Sequence, residues 1–220
     1  MQSIEPRYAV ELEDERLVSH AGVGLLAELA DRVGLTAALG RFITPRAGSA
    51  RRHPPARVLR DLVVMLADGG DCLSDLRLLV GGQGLLGPVA SVPTAWRVIE
   101  QVALAGEDAL AGIRAARAQA RRWAWRAGAA PAGRWILDID ATLIEAHTDA
   151  KQGAAPTYKG GFGFHPLGCW LDRGDGRGEP LACVLRPGNA GANDTADHLT
   201  VLKLALASAF HEALVGPWRA

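Results

Sequence analysis

The segment from Arg134 to Leu143 constrains the fold of this chain more than any other. Its residues, RWILDIDATL, predict a β-strand, because strand-forming residues flank Asp138 and Asp140. Side chains alternate across a strand, so both aspartates share one face with Thr142, and three apolar residues share the other. The apolar residues are Trp135, Leu137 and Ile139. Residues i and i+2 of a strand lie roughly 6.5 to 7 Å apart, and two carboxylates at that spacing favour a bound cation.

Length and composition favour a folded protein without a membrane partner. The chain has 220 residues, of which 49% are hydrophobic, enough to bury the core of one large domain or two small ones. Its longest apolar runs fall far short of the ~20 residues that a membrane helix needs. The first residues lack the basic and then apolar layout of a signal peptide. We therefore expect the protein in the cytoplasm.

Cysteine and charge patterns exclude several kinds of site. Cys72, Cys169 and Cys183 are an odd number without C-x-x-C spacing, which argues against a disulfide framework or a zinc site and favours buried free thiols. Lys and Arg together number 24, as do Asp and Glu, so the net charge gives no general attraction to nucleic acid. Arginines nevertheless cluster in the N-terminal half and can form basic surfaces there.

Residues 1–127 are predicted to be mostly helical. A pair of short helices should run from Gly22 to Leu39 with a break at Gly34, and Pro54-Pro55 should open a longer helix that ends at Asp68-Gly69-Gly70. Its apolar stripe is predicted to comprise Val58, Leu59, Leu62, Met65 and Leu66, and Arg57, Arg60 and Asp61 occupy the other side. A short helix capped by Asp71 or Ser74, the glycine-rich loop 81–88 and a helix from Ser91 are expected to follow.

The last three elements form a loose helix-turn-helix pattern. Thr94 and Arg97 fall in the first turns of the second helix, where such motifs contact DNA, although an ordinary helical bundle would show the same pattern. The next helical segment places three arginines along one stripe, which indicates either a phosphate-binding face or a solvated one. These arginines are Arg114, Arg117 and Arg121.

The chain changes character after residues 128–133, a small-residue linker that we take as a domain boundary. Three strands are predicted at 134–143, 163–172 and 180–186, and the glycine-rich connection between the last two favours an antiparallel hairpin. Asn193-Asp194-Thr195 should then cap a helix with an apolar stripe. The stripe comprises Leu199, Leu202, Leu206 and Phe210. The predicted fold class is α+β, with a helical region before three antiparallel strands and a helix.

Three sequence blocks together resemble bacterial insertion-sequence transposases of the DDE type, particularly the insertion-sequence 1380 family. The blocks are LDIDAT at 137–142, APTYKGGFGFHPL at 155–167, and LRPGNAGAN at 185–193 followed by ADH at 196–198. The resemblance extends to about residue 207. It implies that residues 134–210 are the N-terminal part of an RNase H-like catalytic domain, and that the helical region 1–127 binds DNA.

The resemblance also implies a mechanism. Two divalent ions, usually Mg²⁺ or Mn²⁺ and about 3.5 to 4 Å apart, activate the attacking oxygen and stabilise the leaving oxygen of a phosphodiester. The first catalytic acid of the family corresponds to Asp140, and Asp138 is assigned a supporting role at the metal. Asp140 could alternatively be a strand-end acid that accepts a backbone hydrogen bond. Lys159 and Arg186 could meet DNA phosphates, or could be solvated charges.

The family pattern also has a second Asp on a fourth strand and a Glu on a later helix, and neither is recognisable here. Asp194 and Asp197 sit at a helix start, where capping explains them. We therefore expect a C-terminally truncated transposase that is inactive alone, with residues 211–220 a tail unlike the family. The expected partners are the terminal inverted repeats of a transposon, and further copies of this chain or a full-length transposase.

Two other functions compete with an enzyme-derived recombinase. The chain could be a non-enzymatic DNA-binding fragment that recognises transposon ends or interferes with the full-length enzyme. A compact metal-dependent hydrolase unrelated to transposition ranks last, because its further acids are missing.

Overall fold

The fold was examined in a computed structural model that describes residues 20–43, 53–148 and 150–210. The chain divides into two compact units, and the division falls between Ala124 and Trp125. The acid-rich residues 5–15 and the predicted tail 211–220 lie outside the described residues. Within the described part, no helix combines the length and the apolar character needed to cross a bilayer.

The described residues of the first unit are helical. The elements are α1 (Val23–Arg32), α2 (Leu35–Phe42), α3 (Pro55–Ala67), a 3-10 helix (Leu73–Gly82), α4 (Gln83–Leu86), α5 (Val92–Leu104) and α6 (Gly106–Ala124). The predicted break at Gly34 is confirmed, because this glycine has a φ of 74°, which side-chain-bearing residues rarely adopt. The first helix pair continues past Gly40 as far as Phe42.

Helix α3 is buried on more than its predicted apolar stripe. Val58 and Val64 belong to the main core of the unit, but Arg60 and Asp61 are also buried, at 4% and 1% exposure, whereas Leu66 is 57% exposed. The side of α3 opposite the predicted stripe is therefore buried too. Helix α3 contacts α1, α2, α5 and the 3-10 helix, so its charged side must be accommodated inside the unit as an ion pair.

The segment between α3 and α5 also differs from its prediction. The expected helix and glycine-rich loop are replaced by the 3-10 helix and α4, which follow each other directly. Leu76, Leu79 and Leu86 are nearly fully buried in one core cluster, and this packing outweighs the weak helix propensity of the glycines. The cap is Asp75, whose carboxylate accepts hydrogen bonds from the backbone N–H groups of Asp71 at 3.1 Å and Cys72 at 3.0 Å.

The second unit contains the strands and the last helix. Its elements are a short π-helical segment (Trp125–Ala129), β1 (Ile136–Ala141), β2 (Ile144–Glu145), β3 (Ala155–Pro156), β4 (Phe162–Phe164), β5 (Leu167–Asp172), β6 (Gly178–Val184) and α7 (Thr195–Phe210). The main sheet has the order β1-β5-β6 and is antiparallel throughout, and a smaller sheet has the order β2-β4-β3. Together with the helical region, this sheet and α7 confirm the predicted α+β class.

The predicted second strand is divided at His165-Pro166 into β4 and β5. Ala141 pairs with Leu167 and Ile144 pairs with Phe164, so the same register continues across the gap. Pro166 has no N–H group to donate, and the N–H of His165 donates instead to the Arg186 carbonyl at 2.9 Å. The interruption therefore has a local cause and leaves the ladder in register.

Helix α7 covers one face of the main sheet. Leu167, Cys169 and Leu171 of β5 pack in the same cluster as Val201 and Ala205 of α7. Asp194 accepts a hydrogen bond from the N–H of Asp197 at 3.0 Å, which confirms capping at this helix start. The predicted apolar stripe is correct only in part, because Phe210 packs against the core but Leu199 is 50% exposed, and the buried positions are Val201, Ala205, Ser208 and Ala209. Alanines let the helix approach the sheet more closely than leucines would.

Candidate functional site

Asp138 and Asp140 lie on the face of the main sheet opposite to α7. Exposure alternates along β1, and both aspartates are exposed whereas Leu137 and Ile139 are partly buried. The latter two pack against the core beneath the sheet. The predicted alternation is confirmed, and it anchors the strand through its apolar side while both carboxylates face outward.

One oxygen of the Asp140 carboxylate has a local partner. Oδ1 accepts a hydrogen bond from the N–H of Ala141 at 2.8 Å, which is the backbone contact expected of a strand-end acid. A carboxylate can accept several hydrogen bonds or bind a cation through its other oxygen. The contact therefore orients the side chain and leaves Asp140 able to act as a metal ligand.

The two exposed carboxylates offer oxygen ligands of the kind that a divalent cation such as Mg²⁺ takes. Mg²⁺ usually binds one or two protein carboxylates and completes its shell with water and substrate phosphate oxygens. Among the described residues, no group of three His, Cys, Asp or Glu side chains with convergent ligand atoms includes either aspartate. A second ion would need further ligands.

The described residues hold one such convergent group elsewhere, in the helical unit. It consists of Asp71, Cys72 and Asp75. Hydrogen bonds from Cys72 and Asp71 to the Asp75 carboxylate lower the pKa of Asp75, and they account for the cluster as the cap of the 3-10 helix. This geometry does not favour a metal site there.

The cysteines are free thiols as predicted, but they differ in burial from the prediction. All three thiols are free, but only Cys169 is buried, and Cys72 and Cys183 are exposed. Burial raises the pKa of Cys169, and the negative charge of Asp138 raises it further. Cys169 therefore stays a neutral thiol beneath the acidic face and packs as a small apolar residue.

Arg186 is an internal cation of the second unit. It is 4% exposed, and its Nη1 atom donates to the Asp197 carboxylate at 2.9 Å and to the Gly191 carbonyl at 3.0 Å. Its Nε atom donates to the His165 carbonyl at 2.9 Å. Arg186 thus holds the 185–193 block against β4 and α7, and a buried guanidinium does not present a surface to a phosphate. We remove it from the candidate DNA contacts.

Lys159 lies on an exposed turn of the same unit. The N–H of Thr157 donates to the Gly161 carbonyl at 2.9 Å, and the N–H of Gly160 donates to the Thr157 carbonyl at 3.0 Å. This closed turn presents Tyr158, which is 74% exposed, and the Lys159 ammonium lies 5.8 Å from the centre of its ring. Lys159 remains available to a phosphate.

Thr94 and Arg97 occupy the first turns of α5. Ser91 lies at the N-cap position, and its hydroxyl hydrogen-bonds the Thr94 hydroxyl at 3.0 Å. The side chain of Arg97 is exposed and donates to the Pro93 carbonyl at 3.1 Å. Trp96, between them, is 57% exposed, a feature that the sequence pattern had not singled out.

The arginine stripe on α6 is not a uniform exposed surface. Arg121 is 8% exposed, so it is buried within its unit. Arg114 is half-buried and forms an ion pair with Glu107, and Arg117 is half-buried as well. The stripe was predicted as a phosphate-binding or solvated face, and the burial of Arg121 agrees with neither. We therefore keep only Arg114 and Arg117 as candidate contacts.

Comparison with known proteins gives one finding. Residues 4–215 match the family model described as Transposase DDE domain group 1. No curated protein and no solved structure matches the chain. The match spans both units and contains the strand that carries the two exposed aspartates. The chain therefore belongs to the DDE transposase family, Transposase DDE domain group 1.

Proposed function

We propose that this chain serves DNA transposition through metal-dependent chemistry on phosphodiesters, with Asp140 as the first catalytic acid and Asp138 in support. The observation that carries the proposal is the placement of both carboxylates on one exposed face of β1. Membership of the transposase family supports it. The resemblance of the three sequence blocks to the insertion-sequence 1380 family suggests the subgroup.

The roles of the residues follow from this geometry. Asp140 would hold a divalent cation, Mg²⁺ or Mn²⁺, through the oxygen that does not bind the Ala141 N–H. Asp138, two residues earlier on the same face, would add negative charge and orient water around the ion. A bound cation of this kind polarises a phosphoryl oxygen and stabilises developing charge. The apolar face of β1 keeps the carboxylates in place by packing on the core.

Among the described residues, no third His, Cys, Asp or Glu converges with Asp138 and Asp140, so we propose that the 220-residue chain alone does not complete the reaction. Phosphoryl transfer with two metals depends on ligand number as well as ligand type. Purified chain incubated with transposon-end DNA and Mg²⁺ should therefore give neither cleavage nor strand transfer. Products that require the Asp140 carboxylate would contradict this expectation.

Cation binding tests the acidic face directly. We expect Mn²⁺ affinity, measured by titration calorimetry, to fall by at least about 10- to 100-fold in Asp140→Asn, because loss of a mere outer-shell partner of a metal ligand already costs that much. Asp138→Asn should have the smaller effect of a supporting group. Asp172→Asn is the matched control. Asp172 is the last residue of β5, whereas Asp140 pairs with Gly168 near the start of that strand, and the Asp172 carboxylate accepts a hydrogen bond from the Gly174 N–H at 2.8 Å. Equal affinity in all variants would refute the proposed site.

The alternative function is a non-enzymatic fragment that recognises transposon ends through the helical unit. It is favoured by the exposed Arg97 at the start of α5, where helix-turn-helix proteins contact DNA. We expect Thr94→Ala and Arg97→Ala together to weaken binding to end DNA in a mobility shift, with binding of the unchanged chain strongest at low salt. Arg177→Ala, an exposed arginine in the turn before β6 of the second unit, serves as a control for loss of charge alone. No shift at low salt would exclude this function.

A further inference from the structure

We propose that Trp170 is a stacking platform for a nucleobase of the DNA strand whose phosphate lies at Asp138 and Asp140. The inference rests on the proposed function and adds a substrate contact to it. It assigns a role to the one large aromatic side chain that lies on the acidic face of β5.

The indole of Trp170 lies flat along its own strand. A Cβ atom added at Gly168 would lie only 2.1 Å from Cη2 and 2.5 Å from Cζ3 of Trp170. The benzo ring therefore occupies the space in which a side chain at position 168 would stand. A Cβ atom at Gly178 would lie 3.2 Å from the Trp170 Cβ. Two glycines thus make room for the ring to lie against the backbone.

The register places this ring beside the two acids. Asp138 pairs directly with Trp170, and Asp140 pairs with Gly168, over which the ring lies. Directly paired residues of an antiparallel ladder point to the same face, with Cβ atoms about 4.5 to 5.5 Å apart. On the other side, Pro180 pairs with Trp170 and Cys183 with Gly168. The carboxylates and the indole therefore form one continuous surface.

This surface is complementary to one nucleotide of a DNA strand. A cation on the carboxylates would attract the phosphate, and the outward side of the half-buried indole would receive the adjoining base. Every base has a π-face, so stacking on tryptophan tolerates any sequence. A protein side chain as occupant would lack the phosphate that matches a cation. The competing explanation is structural, since an aromatic ring can also simply cover a glycine in a sheet.

Two DNA strands of equal charge, one with bases and one without, distinguish base stacking on Trp170 from a purely structural role of this side chain. The 220-residue chain is titrated, with Mg²⁺ present, with a labelled ten-nucleotide thymidine strand and with a ten-unit abasic strand of the same phosphates. Loss of one base stack should weaken binding about 5- to 150-fold, the equivalent of ~1 to 3 kcal/mol. We expect this preference for the thymidine strand in the unchanged chain, and we expect Trp170→Leu to reduce it at least fivefold. Leucine keeps an apolar cover over Gly168.

A second variant displaces the ring without removing it. Gly168→Ala introduces the Cβ atom that overlaps the indole, so the ring must move and the preference should fall as in Trp170→Leu. Trp123→Leu is the matched control, because this tryptophan is 53% exposed and belongs to the helical unit. It should leave the preference unchanged. Circular dichroism identifies variants that fold.

The outcomes distinguish this inference from the proposed function. If the unchanged chain binds both strands equally, or if folded Trp170→Leu and Gly168→Ala keep the full preference, stacking on Trp170 is refuted while phosphate binding stands. If neither strand binds with Mg²⁺ present, the proposed function fails as well. Preference that falls in both variants and persists in Trp123→Leu establishes the platform.

Discussion

Asp61→Ala should destabilise the helical unit by about 3 to 5 kcal/mol, because it leaves a buried guanidinium without its main partner. Nε and Nη2 of Arg60 donate to Oδ1 of Asp61 at 3.0 and 2.6 Å, and both residues are almost fully buried. Burial raises the pKa of Asp61 even though hydrogen bonds from Arg60 lower it. Both charges of the pair have lost their contact with water, so removal of one leaves the other without compensation.

Two control variants test whether burial of the ion pair causes the loss of stability. Asp31 also meets Arg60, at 3.2 Å, but its side chain is 46% exposed, so Asp31→Asn should cost less than about 1 kcal/mol. Replacing both buried partners, as Arg60→Met with Asp61→Leu, should cost much less than Asp61→Ala alone, because no unpaired charge remains. Urea unfolding followed by far-ultraviolet circular dichroism measures all three. A loss below about 1 kcal/mol for Asp61→Ala would show that Arg60 finds other partners.

Leu171→Ala should destabilise the second unit by about 2 to 5 kcal/mol, the range for removing a buried leucine side chain. Leu171, near the end of β5, is 0% exposed and packs in the cluster beneath the sheet. Because β5 pairs with the strand that carries both acids, partial unfolding of this unit should also abolish Mn²⁺ binding. Cation affinity and stability should therefore fall together.

Near-ultraviolet circular dichroism during urea unfolding measures the unfolding of the second unit. Trp135 stacks on Phe210 with ring centres 4.8 Å apart and meets Trp125 edge to face at 5.1 Å, so the signal reports on the packing between sheet and helix. Leu185→Ala is the control, since Leu185 is 64% exposed and its loss should change stability by less than about 0.5 kcal/mol. Equal effects of the two variants would contradict the observed packing.

Local sequence patterns were sufficient to predict the acidic strand. Alternation around Asp138 and Asp140 requires only the period of two that every β-strand has, and the apolar partners of β1 do pack on the core. Helix breaks at Gly34 and after Ala67 were likewise predictable, because glycine and proline act through their own backbone. Such features depend on neighbours in the chain.

Features that depend on distant residues were not predictable. Arg60, Arg121 and Arg186 have ordinary surface-type side chains, yet each is buried in the folded unit. A helical period identifies the apolar face of α7 only roughly, and the sheet selects Val201 and Ala205 as the buried face. Packing from several sides decides which charges are enclosed, and a single-strand or single-helix pattern contains no information about those neighbours.

The sequence by itself determined that this protein has a helical region followed by an antiparallel α+β unit, and that two aspartates share one strand face. Periodicity and turn chemistry are local, so they can be read along the chain. Only the tertiary structure decided that Trp170 lies over Gly168 beside those aspartates and that Arg186 is an internal cation. Both features depend on the register of the strands and on residues that are distant in the sequence. Hydrogen bonding and core packing bring these residues together only as the chain folds.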